Sequence, residues 1–102
     1  MLTFAKDLLP RIKLTLREAS SDFDEEIISY IEACVTDLQD VGILSKFFRS
    51  AESADPKIVQ AIRWYCLSNY GLYNADMEKY ERAYRSLKST LATQRKYTIE
   101  EQ

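Results

Sequence analysis

Two amphipathic segments on either side of Gly71 most constrain the fold of this chain. In both segments apolar residues recur at steps of three and four, which predicts helices over about residues 56–70 and 75–94, each with one apolar face. The pair Asp55-Pro56 predicts where the first helix begins, because aspartate caps helices and proline is tolerated in the first turn. Aromatic side chains crowd these faces, so the helix pair is expected to pack on something larger than itself. The aromatic residues are Trp64, Tyr65, Tyr70, Tyr73, Tyr80 and Tyr84.

A further helix is predicted over residues 22–41. Asp22 and Glu25 have the spacing of a capping box at its start. Gly42 stands where a left-handed residue would end it, and Ile43 can fold back over the last turn in a Schellman motif. This segment therefore has both of its boundaries marked in the sequence.

The remaining segments are less regular. Pro10 either begins a short helix over about residues 8–17, which we favour, or kinks a longer one over about residues 4–18. The segment 43–55 is predicted to be a loop, although a short helical turn fits residues 44–54 as well, and its serine-rich part at 45–54 has no assigned role. Residues 95–102 are predicted to be a flexible polar tail. Together these features predict a single all-α domain of 102 residues, a small bundle of about four helices.

The apolar faces of the predicted helices supply a candidate core. Cys34 and Cys66 lie on such faces of different helices, so buried free thiols are expected rather than a disulfide. The tyrosines of the last helix share its apolar stripe, which favours core or subunit contacts over platforms for stacking bases. The predicted core residues are Ile27, Ile31, Leu38, Ile62, Tyr65, Tyr80, Tyr84 and Leu87.

Composition argues against an enzyme. The chain has no histidine, which removes the commonest general base and metal ligand, and its two separated cysteines do not make a zinc site. No glycine-rich loop is present to hold a phosphate, and the adjacent carboxylates of Glu25 and Glu26 lie on different faces of a helix start. No apolar run approaches the roughly 18–20 residues that cross a bilayer. We therefore predict no catalytic, metal-binding or cofactor-binding residues, no cofactor and no membrane contact.

Charge is sorted by helix. Residues 22–40 carry seven acids and no base, whereas residues 79–96 carry six bases and one acid. These faces can attract each other within one monomer, or the acidic helix of one subunit can face the basic helix of the next, which is a head-to-tail contact that can close into a ring. A third interpretation puts the basic helix on DNA phosphates, although the net charge is −2. The candidate subunit-interface residues are Asp24, Glu25, Glu32, Asp37, Lys79, Arg82, Arg85 and Lys88.

Three stretches that cover most of the chain carry a family resemblance. The first comprises IKLTLR at 12–17, DFDEEI at 22–27 and YIEAC at 30–34; the second, DPKIVQAI at 55–62 with YC at 65–66 and YG at 70–71; the third, YERAYRSLK at 80–88 with LA at 91–92 and Tyr97. In this order they resemble the phage head–tail connector family of long-tailed phages, also called head-completion or adaptor proteins. The chain length is similar to that of the short adaptors of the SPP1 type.

The resemblance implies a small α-helical protein that assembles as a ring, usually of twelve subunits, beneath the portal of the filled capsid. Such a ring extends the DNA channel and receives a stopper or tail-completion protein on its other side. It also implies that the C-terminal segment reaches the portal and is ordered only on assembly. The candidate portal-docking residues are Arg95, Lys96, Tyr97 and Ile99.

The sequence thus predicts a structural virion protein at the head–tail interface, present in the host cytoplasm during assembly. Its expected partners are further copies of itself, the portal and the stopper, with genomic DNA passing through the channel without sequence-specific binding; the free chain can be a monomer. Two alternatives stay open: a DNA-binding packaging accessory that uses residues 79–96, and a generic helical protein-interaction module.

Overall fold

Four long helices and two short ones form the computed structural model, which describes residues 2–70 and 75–100. This part of the chain contains no strand, which confirms the predicted all-α class. The junction predicted at Gly71 lies outside the described residues, as does Tyr73. The helices are α1 (Leu2–Leu16), α2 (Asp24–Asp40), a 3-10 helix (Ser45–Phe48), α3 (Pro56–Asn69), α4 (Met77–Ala92) and α5 (Arg95–Thr98).

Helix α3 lies at the centre of the bundle and contacts α1, α2 and α4. The rings of Phe4 and Phe48 meet edge to face near the starts of α1 and α3, with their centroids 5.8 Å apart. At the other end of the bundle the hydroxyl of Tyr70, which follows α3, donates to the carboxylate of Glu18, which follows α1, at 2.6 Å. Helices α1 and α3 therefore run in the same direction. Among the described residues, no helix is both long enough and apolar enough to span a membrane.

Helix α1 is longer than the favoured short helix and passes through Pro10. An internal proline costs about 3 kcal/mol because it removes one backbone hydrogen bond and crowds the preceding turn. Phe4, Ala5, Leu8 and Ile12 are all buried on one face, and the first two of them precede the predicted start at residue 8. Each large apolar side chain contributes about 1.5–3 kcal/mol on burial, so packing offsets the proline and extends the helix to Leu2.

Helix α2 ends as the sequence predicts but does not begin as predicted. It begins at Asp24 without a side-chain cap, so the capping box of Asp22 and Glu25 does not form. At the other end the predicted Schellman motif is present: Gly42 has φ +101°, its N–H donates to Gln39, and the N–H of Ile43 donates to Leu38 at 3.1 Å.

The segment between α2 and α3 contains a short 3-10 helix, which is the helical turn that the sequence left open as an alternative to an exposed loop. Phe48 is buried and anchors this helix against α1. The N–H of Leu44 donates to the carbonyl of Tyr97 at 2.9 Å, so the same segment is tied to α5. The burial of Phe48 and the hydrogen bond from Leu44 to Tyr97 thus position the serine-rich stretch on the bundle.

Asp55 begins α3 as predicted, accepting hydrogen bonds from the backbone N–H groups of Lys57 at 2.8 Å and Ile58 at 3.4 Å. The structure differs from the predicted flexible tail at residues 95–98, which form α5. The reason is Tyr97, whose ring is buried and whose hydroxyl donates to the Asp55 carboxylate at 3.0 Å. One carboxylate therefore caps α3 and holds α5.

The core is a single cluster of apolar side chains from α1, α2 and α3 and from the segment between α2 and α3, closed by two residues of α4, Tyr84 and Leu91, and by Tyr97 of α5. Cys34 and Cys66 are buried free thiols within it. Trp64 and Tyr80 stack at its edge, with ring centroids 5.7 Å apart. Of the eight predicted core residues, Ile27, Ile31, Leu38, Ile62 and Tyr84 are buried, whereas Tyr65, Tyr80 and Leu87 are half-buried.

Candidate functional site

Helices α2 and α4 flank α3, and the space between them is an open groove of about 490 Å³. Asp37 and Asp40 line it from α2, Arg85 and Lys88 line it from α4, and Tyr65 of α3 lies between them. The groove brings the acidic helix and the basic helix of one chain face to face along one side. Part of the sorted charge is therefore used within the monomer, as the first of the three interpretations predicts.

A polar cluster joins α2 to α4 in this groove. The hydroxyl of Tyr84 donates to Asp37 Oδ2 at 2.5 Å, and Lys88 Nζ lies 2.9 Å from the same oxygen. Partial burial alone would raise the pKa of Asp37, but the hydrogen bonds from Tyr84 and Lys88 outweigh it, so this pKa lies below its usual value. The thiol of Cys34 donates to the Tyr84 hydroxyl from the core side. Asp37 and Lys88 thus hold the bundle together.

Two other predicted interface residues also have partners within the chain. Arg85 pairs with Glu81 at 2.6 Å, one helical turn earlier, and both side chains are well exposed. Asp24 pairs with Lys13 of α1 at 2.7 Å. The Arg85 pair has a sequence signal, the i,i+4 spacing of opposite charges. The pair between Asp24 and Lys13 joins two different helices, so no local spacing in the sequence indicates it.

The other four predicted interface residues form no ion pair within the part of the chain that the structure describes. Glu25 and Glu32 lie on the outer side of α2, seven residues apart, a spacing that keeps them on one face. Lys79 and Arg82 lie three residues apart on the outer side of α4. We call the first set the acidic stripe and the second set the basic stripe. Both point away from the core.

The predicted portal-docking residues divide into two groups. Arg95, Lys96 and Ile99 are exposed, and Lys96 Nζ lies 3.1 Å from the Asp55 carboxylate. Tyr97 is buried and belongs to the fold. Burial alone would raise the pKa of Asp55, but hydrogen bonds from Lys96, from the Lys57 backbone and from Tyr97 outweigh it, so this pKa lies below its usual value.

The cysteines are not activated. Burial raises the pKa of Cys66 to about 12, and it raises that of Cys34 further still, so both thiols stay protonated at neutral pH. Within residues 2–70 and 75–100 no group of three or more histidine, cysteine, aspartate or glutamate side chains is placed to hold a metal ion.

In the part of the chain that the structure describes, an all-α fold carries stripes of charge on its outer helix faces, an arrangement suited to contact with other macromolecules. The comparison with protein families identifies the kind of protein: a family model described as Phage connector protein matches residues 8–98. The chain belongs to the phage connector protein family. Searches among curated proteins and among solved structures found no match.

Membership in this family confirms the resemblance noted from the sequence and gives the chain its general role. It is a structural head–tail connector, it lies at the head–tail interface of the virion, and it assembles with other phage head and tail proteins. The family is a structural one rather than a family of enzymes. The SPP1-type assignment stays a prediction.

Proposed function

We propose that this connector is an adaptor ring that binds beneath the portal, extends the DNA channel and provides the platform for the stopper or tail-completion protein. The observation that carries the proposal is the pair of unpaired stripes of opposite charge on α2 and α4. Two different patches on one chain make a heterologous contact, and such contacts repeat into rings when the rotation closes. The family resemblance favours twelve subunits.

The acidic stripe of one subunit contacts the basic stripe of the next. Exposed ion pairs contribute only about 0–1 kcal/mol each. They act more on the choice of partner and on the rate of encounter than on affinity. A contact of this kind leaves the free chain a monomer in the host cytoplasm and lets the portal ring, which presents many sites at once, trigger assembly.

The same charges argue for a channel that does not grip DNA. Lys88 and Arg85 are paired with Asp37 and Glu81, so Lys79 and Arg82 are the two cations of α4 without an ion pair among residues 2–70 and 75–100. Affinity for duplex DNA comes mainly from several cations that neutralise phosphates together. A protein with this surface lets genomic DNA pass without sequence-specific binding, whereas a packaging accessory would need a denser basic face.

The test is the mass of the chain alone and after mixing with portal rings from the same phage, measured by light scattering behind a sizing column. We expect a monomer that joins the portal in a fixed ratio, one ring to one portal. A chain that never joins portal rings would contradict the proposal. Tight, strongly salt-dependent binding of duplex DNA by the free chain would favour the packaging accessory instead.

A further inference from the structure

The serine-rich segment and the C-terminal segment, which are far apart in sequence, form one surface at one end of the bundle. The rings of Phe47 and Tyr97 are in contact, with centroids 5.0 Å apart. Lys46 Nζ lies 5.6 Å from the Phe47 ring and Lys96 Nζ lies 5.1 Å from the Tyr97 ring. Tyr97 is buried, so the half-buried Phe47 ring is the aromatic group that this surface presents, with Lys46 and Lys96 beside it. We call this surface the basic–aromatic surface.

The centre of this surface is a hollow of about 360 Å³. Phe47 and Ile99 form its apolar lining, and Lys46 and Lys96 stand at its edges. The side chain of Ile99 is 42 % exposed, so it adds apolar area to the surface. The surface thus offers an apolar site between two cations.

Further positive charge surrounds the hollow. A second hollow, of about 480 Å³, shares Phe47 and Lys46 with the first, and Arg49 and the carboxylate of Asp55 also line it. Neither of these two cations forms an ion pair among residues 2–70 and 75–100, and Arg49 is exposed. Lys96 is two-thirds exposed even though it pairs with Asp55. The charge needed to attract an anionic partner is therefore available.

We propose that the basic–aromatic surface binds an acidic segment of a partner protein, which inserts an apolar side chain between Lys46 and Lys96. The inference rests on the proposed function in one respect, because it assigns that segment to the portal. It also gives the serine-rich stretch a role: the 3-10 helix supplies half of the docking surface.

The surface fits an acidic protein segment better than a phosphate backbone. A row of phosphates is matched by cations alone and makes no use of a hollow lined by Phe47 and Ile99. Apolar anchors in the centre of a contact with charges around them are the usual arrangement of a protein interface. A second copy of this chain is a different occupant, and it would appear as self-association that grows with concentration.

Two synthetic peptides test the surface directly. One alternates glutamate with leucine over eight residues, and its control has serine in place of leucine. We expect the first peptide to shift the NMR signals of Lys46, Phe47, Lys96 and Ile99, to bind at least fivefold more tightly than the control, and to weaken as salt is added. Absence of binding, equal binding of the two peptides, stronger binding of a short DNA duplex, or self-association through these residues would each overturn the inference.

Variants separate the two halves of the claim. Lys46→Glu with Arg49→Glu should reduce peptide affinity at least tenfold, and Ile99→Ser should erase the preference for the leucine peptide. All three side chains are exposed or at the rim, so folding should persist, as a circular dichroism melt will check. Arg17→Glu, a charge reversal at the opposite end of the bundle, is the matched control and should bind normally.

Mixing the same variants with portal rings distinguishes this inference from the proposed function. If Lys46→Glu with Arg49→Glu abolishes portal binding and Arg17→Glu does not, the result supports both the adaptor ring and the binding of an acidic portal segment. Normal portal binding by the double variant would overturn the inference and leave the adaptor ring standing. Failure of the wild-type chain to bind portals would overturn the adaptor ring, and the peptide result would still decide whether the surface binds acidic segments.

Discussion

Tyr84 connects the core to the charged groove. Its ring packs edge to face on Tyr65, with centroids 5.2 Å apart, while its hydroxyl donates to Asp37. The ammonium group of Lys88 lies 5.4 Å from the same ring. A single side chain therefore contributes apolar burial, a hydrogen bond to a carboxylate and a cation–π contact, and it is the residue by which α4 is fixed to α2.

Substitutions at Tyr84 should separate these contributions. We expect Tyr84→Ala to lower the free energy of unfolding by about 3 kcal/mol, because it removes a buried aromatic ring. Tyr84→Phe keeps the ring and should cost about 1 kcal/mol, the contribution of a typical hydrogen bond. Urea unfolding of the three proteins measures both values. An alanine variant within about half a kcal/mol of wild type would place the ring outside the core.

Asp55 should make stability depend on pH. A carboxyl group whose pKa is lowered by folding stabilises the native state fully above its unfolded pKa, near 4, and this stabilisation is lost as the pH falls through the lower folded value. Asp55→Asn can still cap α3 but does not titrate. We expect the variant to be less stable than wild type at pH 7, with a gap that narrows below about pH 4.

Thermal unfolding of both proteins from pH 2 to pH 7 provides the measurement. Asp37 also has a lowered pKa, but it titrates in both proteins and cancels in the comparison. A gap that stays constant over the whole range would mean that the charge of Asp55 contributes nothing to folding.

Among the helices, the ends determined by local chemistry are the ones the sequence predicts. The start of α3 follows from Asp55-Pro56, and the end of α2 follows from Gly42, because each signal lies within a few residues of the backbone groups it satisfies. The start of α1 does not follow, because Pro10 is a strong local signal for a boundary. Burial of Phe4 and Leu8 against the rest of the bundle overrides that signal.

Helix α5 and the groove were harder to predict for a related reason. Tyr97 is buried because Phe47 and Asp55 meet it from about forty and more residues away, and no local pattern encodes that contact. The Asp37–Lys88 pair spans 51 positions and likewise needs the fold. The sequence therefore predicted the charged helices correctly but not which charges neutralise each other within the chain.

The end of α2 offers a test at a single backbone position. Gly42 has φ +101°, where a side chain strains the backbone, and an added Cβ would meet only a Thr98 methyl group at an ordinary 3.9 Å. We expect Gly42→Ala to lower the free energy of unfolding by about 1 kcal/mol through the backbone alone. Gly42→Asn should cost less, because asparagine tolerates this region better. Equal stability of the glycine and alanine proteins in urea would contradict the Schellman ending.

For the whole molecule, the charge stripes predict the behaviour of assemblies. Lys79→Glu with Arg82→Glu should leave a folded monomer, since both side chains are exposed and unpaired among the described residues, yet it should fail to form rings on portals. Reversing the acidic stripe as well, with Glu25→Lys and Glu32→Lys, should restore ring formation. Light scattering and negative-stain images provide the measurement.

Lys6 is exposed on α1, so Lys6→Glu is the control for a general effect of reversing a charge. If Lys79→Glu with Arg82→Glu still forms rings, and salt weakens those rings as it weakens wild-type rings, then the subunits contact each other through other faces. If the double variant forms no rings and the fourfold variant does not restore them, these side chains make subunit contacts that depend on more than their charge.

The contact between Asp55 and Tyr97 also fixes when a newly made chain can finish folding. The two residues are 42 positions apart, and ribosomes add about 5–20 residues per second, so roughly 2–8 s separate their synthesis. During that time α3 can form on its own cap while the Phe47 ring has no Tyr97 to cover it. A chain interrupted before Tyr97 leaves Phe47 and Asp55 without this partner, so this end of the bundle is complete only once Tyr97 has been made.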